Sequence, residues 1–156
     1  MRRLDFIEYV KKEAKPIRYL ISLVPEDKYD WSPSDNMMSL GKLVSHLARS
    51  QAIIWIQLEK VEKVPEEYLN WDPLPLSEAL QVFDGELARA VEALSKVSDE
   101  DYLESRAKTF WGAEDKLCNL LMLLVDHGIH HKMQLFIYLK ILGFQLGSEE
   151  LYEGKS

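Results

Sequence analysis

The sequence predicts an all-α protein, a bundle of four helices. Three observations carry that expectation. Apolar residues recur at helical spacing in four separate stretches, and the stretches are divided by connections rich in proline and turn formers. The last stretch, Leu117 to Leu142, is apolar on nearly every side and holds three of the four histidines.

The first helix is expected over residues 4 to 24. Ile7, Val10, Ala14, Ile17, Leu20, Ile21 and Val24 form its apolar stripe, while Lys11, Lys12, Glu13 and Lys15 fill the other face. Pro16 lies inside it, so a kink near residues 12 to 16 is expected, and Pro25 ends it. Residues 25 to 38 read as a loop, with Trp31 packing over a bundle end. Ser39 is the expected N-cap of a second helix that runs to about Val64, before Pro65. Leu40, Leu43, Leu47, Ile54 and Leu58 form its core stripe, flanked by a column of His46, Ser50, Ile53 and Gln57.

Residues 65 to 75 hold three prolines and Trp71 and read as a long crossing loop. A third helix starts at Leu76 or Ser77. It carries Leu80, Phe83, Leu87, Ala90, Val91, Leu94 and Val97 and no histidine, and its expected role is packing. Ser98 to Gly112 is a second connection, with Asp99, Glu100 and Asp101 as a solvated turn and Phe110 and Trp111 as lids or plugs. The fourth helix is expected from Ala113 to Leu142, with Gly143 just past its end. Met122, Val125, Ile129, Met133 and Phe136 form its second apolar face, which predicts a partner copy there and hence a homodimer.

The 156 residues fit one domain, 1–156, with a core of useful size. A net charge of −7 and an isoelectric point near 5.1 disfavour a nucleic-acid partner and suit a soluble, cytoplasmic protein. The single cysteine, Cys118, excludes an internal disulfide and a multi-thiolate metal cage. It sits about 180° around the helix from His127 and reads as a small buried hydrophobe. The N-terminus is broken by Asp5, Glu8, Lys11 and Lys12 before any signal-peptide core forms. The longest uncharged run, Leu117 to Val125, is too short for a bilayer, so no membrane partner is expected.

The chemistry concentrates in Val125 to Gln134, VDHGIHHKMQ. His127 and His131 are displaced by about 40° and stack one turn apart. A lone histidine on an apolar face is ordinarily a hydrogen-bonded core residue. Two at this spacing in the centre of an apolar stripe would both be desolvated with few local partners. They suit a metal, with His46 completing a three-nitrogen set for one divalent ion per chain: zinc, nickel, iron or manganese. Three protein ligands leave one coordination position open, the catalytic arrangement, where a metal lowers the pKa of bound water or stabilises a thiolate or carbonyl oxygen. His130 points about 60° to the other side of His127 and takes an outer or substrate-facing place. Gln134, Ser50 and Gln57 are the expected supporting donors. No Gly-rich phosphate loop, GxSxG or HExxH occurs.

DHGIHHKMQLFIYLKILG resembles the last-helix signature of the DinB/YfiT-like metalloenzymes, through Asp126, His127, His130, His131, Gln134, Tyr138, Leu139 and Gly143. SLGKLVSHLARSQ resembles the family's S-x-G-x-L-x-x-H pattern through Ser39, Gly41, Leu43 and His46. Lys132 and Met133 depart from the arginine and glycine usual there, which touches surface contacts more than the ligands. The resemblance implies an up-down-down-up bundle with a long crossover between the second and third helices, and metal ligands at His46, His127 and His131. Tyr138 joins the supporting residues.

The resulting expectation is a metal-dependent enzyme acting on a small molecule, with no side chain beside the ligands assigned as base. Its activity is thiol-dependent S-transfer, implied by the resemblance and using a low-molecular-weight thiol. The alternatives are a metal-dependent hydrolase, or a non-catalytic dimeric interaction module whose metal is structural or absent.

Overall fold

The computed structural model describes residues 1–70 and 72–155, so the expectation for Trp71 lies outside the described residues. The chain folds as helices α1 (Arg3–Ser22), α2 (Leu40–Arg49), α3 (Ala52–Leu58), α4 (Glu66–Leu69), α5 (Leu76–Lys96) and α6 (Asp99–Glu104), then strands β1 (Arg106–Lys108) and β2 (Glu114–Lys116), then α7 (Leu117–Ile141) and α8 (Ser148–Tyr152). The all-α class expected from the apolar periodicity is the class observed. Among the described residues, no helix is long and apolar enough to cross a membrane.

Helix α1 runs unbroken through Pro16, which is buried with Ile17, Leu20 and Ile21. Ser39 caps α2 by accepting from the Lys42 amide at 3.3 Å. Gly41, in the first turn, donates its amide to the Tyr29 carbonyl at 2.7 Å. A Cβ there would meet the Tyr29 ring at 2.9 Å and its carbonyl oxygen at 3.0 Å, so the glycine of the S-x-G motif is a close-approach residue. Trp31 packs edge-on against Tyr138, with ring centroids 5.8 Å apart.

The second predicted helix is in fact two, and it stops six residues early. Ser50 Oγ donates to the Leu47 carbonyl at 2.8 Å, as its own amide does at 3.1 Å, so the chain turns tightly before α3 restarts. At the end of α3, Lys60 adopts a left-handed conformation (φ 52°) and Val61 donates to the Ile56 carbonyl. That closed cap terminates the helix well before Pro65.

Residues 98 to 116 also differ from the expectation. Ser98 caps α6 through the Asp101 amide, and the three acidic residues read as a turn are its first turn, where a negative charge suits the helix N-terminus. Tyr102 then buries against Phe6. The segment read as the start of the fourth helix is β2, which pairs antiparallel with β1 in the register Ala107↔Asp115. Polar strands of three residues carry too little alternation to be read from sequence. Phe110, Trp111 and Gly112 (φ 98°) form the tip of the hairpin.

Helix α7 therefore starts at Leu117, and it ends in a Schellman cap. Gly143 has φ 98°, Phe144 donates to Leu139, and Gly143 donates to Lys140. It is not buried all round: Leu123, Met133, Ile137 and Ile141 are exposed, and Cys118 is only half-buried. Lys132 is the opposite case. Read as a surface departure, it lies buried and ion-paired to Glu13 at 2.8 Å.

Two large core clusters fill the bundle, beside a smaller one around Trp55 and Ile56. One gathers Ile17, Leu20, Leu43, Leu47, Phe83, Leu135 and Tyr138. The other gathers Phe6, Val10, Ile54, Leu94, Tyr102, Leu121 and Leu124. Along α7, His127 and His131 fall between the residues of one cluster and those of the other.

Candidate metal centre

The fold brings His46 from α2 to His127 and His131 on α7, and one ring nitrogen of each lies within 4.8 Å of the others. His46 Nε2 is 2.8 Å from His127 Nε2. The three rings stand edge-on to one another, with centroids 4.5 to 5.0 Å apart. The i, i+4 pair follows from helical spacing alone. The arrival of His46 follows from the apolar stripe of α2, which buries Leu43 and Leu47 on either side of it.

Burial pushes the His46 imidazole down to about 3, with His131 and His127 adding to the effect. It lowers His127 as well, helped by His131 and His130. His131 is lowered by burial, partly offset by its bond to Gln134. All three rings are thus held neutral, the form that ligates a cation.

A hydrogen-bond relay sets the tautomer of His131. The Met38 carbonyl can only accept, so the Tyr138 hydroxyl donates to it, at 3.1 Å. Tyr138 then accepts from Gln134 Nε2 at 3.1 Å, which turns the Gln134 oxygen toward His131 Nδ1 at 3.0 Å. Nδ1 must carry the proton, and Nε2 is left with the lone pair. The donor set fits a divalent metal: three neutral imidazoles, one with its orientation fixed from behind.

The other expected residues fall in different places. Gln134 and Tyr138 stand behind His131 rather than His127. Ser50 is buried against Gly128 of α7 and spends its hydroxyl on the Leu47 carbonyl. Gln57 turns away to the hairpin, donating to the Lys108 carbonyl at 3.2 Å. His130 is exposed and lines a cavity of about 500 Å³ with His46 and His127. Ile53, Tyr68, Leu69, Leu123, Leu124, Phe110 and Trp111 complete its wall.

Sequence reasoning missed the support for Tyr68. Its hydroxyl donates to Glu86 at 2.7 Å, and Trp55 Nε1 donates to the same carboxylate at 2.6 Å. Helix α5, expected only to pack, therefore holds a cavity wall in place. The signal was available, since a Trp and a Tyr in apolar surroundings each need a partner for the polar tip.

Comparison with known proteins follows the same line. The model of the DinB family matches residues 1–151. A DinB-like protein from Bacillus cereus superposes with a TM-score of 0.76 at 18% identity, covering 92% of this chain and 94% of that one. One from Bacillus subtilis gives 0.70 at 22% identity, covering 90% and 93%. A mycothiol-dependent maleylpyruvate isomerase gives 0.66 at 14% identity, and the match covers 86% of this chain but 61% of that one. No curated protein sequence matches the chain.

Proposed function

The chain belongs to the DinB family, and from that premise we propose that it is a divalent-metal-dependent enzyme whose ligands are His46, His127 and His131. The observation that carries this reading is the convergence of three neutral imidazoles within 4.8 Å, two of which, His46 and His127, line a cavity. Zinc, nickel, iron and manganese all suit imidazole ligands. When bound, such an ion supplies Lewis acidity toward a thiol, a water or a carbonyl. The protein's own residues do the rest. Gln134 and Tyr138 orient His131, the apolar wall offers a surface for a substrate to cover, and His130 places a solvent-exposed imidazole beside the ligands.

The reaction class is transfer of a low-molecular-weight thiol to a small molecule. Its support is the shared fold of a mycothiol-dependent enzyme at low identity. Hydrolysis is the second reading, and the donor set alone favours neither. Cellular placement in the cytoplasm accords with the net charge of −7 and the lone cysteine. Of the face expected to meet a partner copy, Met122, Val125, Ile129 and Phe136 pack into the chain's own core and Met133 is exposed, so the proposed homodimer uses Met133 with the neighbouring exposed Ile137 and Ile141. A sedimentation mass equal to the monomer at micromolar concentration would remove the dimer from the proposal.

Elemental analysis of protein purified without chelator tests the metal. One ion per chain is expected, and it is lost in His127→Ala. Equal metal in both proteins overturns the ligand assignment, and a folded wild type that cannot be loaded overturns the metal and leaves a non-catalytic interaction module. Turnover of a thiol with an electrophile, absent in His127→Ala, then separates transferase from hydrolase.

A further inference from the structure

The cavity beside the histidines has an uneven chemistry. Its lining imidazoles are His46 and His127, side by side, and His130 one turn along α7. The Tyr68 hydroxyl is already committed to Glu86. The remaining wall is hydrocarbon, and four of its members are exposed to water: Leu69 at 48%, Phe110 at 51%, Trp111 at 47% and Leu123 at 48%. Phe110 and Trp111 meet edge-on at 4.8 Å, which makes one aromatic surface of the hairpin tip. Large apolar groups left wet around a concavity mark the place where an apolar ligand is covered.

No lysine or arginine lines the cavity among the described residues. A carboxylate entering it would give up water against Leu123, Leu124 and Ile53 with no side-chain cation to replace the lost solvation, so that only a bound ion would offer it a positive partner. Glu86 behind Tyr68 and a net charge of −7 oppose it further.

We infer that this cavity takes a small molecule with an aromatic or bulky aliphatic body, and that its side chains, apart from any bound ion, favour an uncharged one over a carboxylate. The apolar body rests on Leu123, Phe110 and Trp111, and its polar group faces the histidines. The inference takes the cavity as the substrate site of the proposed enzyme and narrows what that site accepts.

A matched pair of probes tests it: 2-acetylnaphthalene, which is neutral, and 2-naphthoate, which has the same rings and a carboxylate. Equilibrium dialysis is run on the protein as purified and after chelator treatment. The stripped protein is decisive, because carboxylate–metal bonding is then absent. The ketone is expected to bind at one site, at least tenfold tighter than the naphthoate. Leu123→Glu weakens the ketone at least tenfold, and Leu123→Lys narrows or reverses the preference. Trp111→Ala, at an exposed position, weakens the ketone without introducing a charge. Circular dichroism verifies that each variant is folded.

Naphthoate binding as tightly as the ketone to stripped wild type would overturn the inference. So would ketone affinity unchanged in both Leu123→Glu and Trp111→Ala. Failure of the metal assignment looks different: ketone preference persists while elemental analysis finds no ion.

Discussion

The hydroxyl of Tyr138 donates to the main-chain carbonyl of Met38 at 3.1 Å, across one hundred residues of sequence. This bond ties the loop before α2 to the ligand-bearing helix, and through Gln134 it decides which nitrogen of His131 holds the proton. Tyr138→Phe removes the hydroxyl and frees the Gln134 amide to rotate. Metal affinity should fall on the order of 10-fold to 100-fold, the usual cost of losing a group that orients a ligand. Titration with zinc against a competing chelator checks this. Affinity equal to wild type would mean that the relay does not govern His131.

Acid should weaken the metal-free fold. His46 protonates near 6.5 in the unfolded chain but only near 3 when buried, so between these values the unfolded state binds more protons. Stability is therefore full above about pH 6.5 and declines as pH falls toward about 3, and the lowered His127 and His131 add in the same direction. Urea midpoints at pH 7.5, 6 and 5 should decrease in that order, and less steeply for His46→Gln. A midpoint that rises on acidification would contradict the assignment.

Lys132 and Glu13 form a pair with side chains only 4% and 18% exposed. Lys132→Ala leaves the Glu13 carboxylate without its partner in a dry setting and should cost about 3 kcal/mol. The double change Lys132→Met with Glu13→Leu removes both charges and should recover most of that loss. Denaturant unfolding of the single and double variants measures the difference. An equal loss in both would point to packing rather than charge.

Helix class and the histidine pair were legible because both depend on a period of 3.6 residues, and a stretch of 25 residues repeats that period many times. Ser39 and Gly143 were legible for a different reason: a cap needs a particular side chain or a left-handed backbone. The break at Ser50 was not, because a serine hydroxyl reaching back to the Leu47 carbonyl leaves the apolar stripe in phase. Lys60 gave no warning of a left-handed cap, a conformation that lysine seldom adopts. The depth of Lys132 was hidden for want of its partner, since Glu13 lies 119 residues away. At the site, the relay through Gln134 runs to His131 because i, i+3 neighbours meet on a helix, a choice of partner that naming Gln134 a supporting donor left open. Gln57 shares the flank of His46 by count, but the turn between α2 and α3 carries it off to the hairpin.

The hairpin has a consequence for how this scaffold can change. The three converging imidazoles stand on α2 and α7, whereas Phe110 and Trp111 ride on a short ladder of three residues a side. The aromatic part of the proposed recognition surface is thus separable from the histidines, while Leu123 shares α7 with them. Substitutions at the tip can retarget the pocket without disturbing the bundle, so the proposed enzyme would keep one reaction while exchanging the compounds on which it is performed.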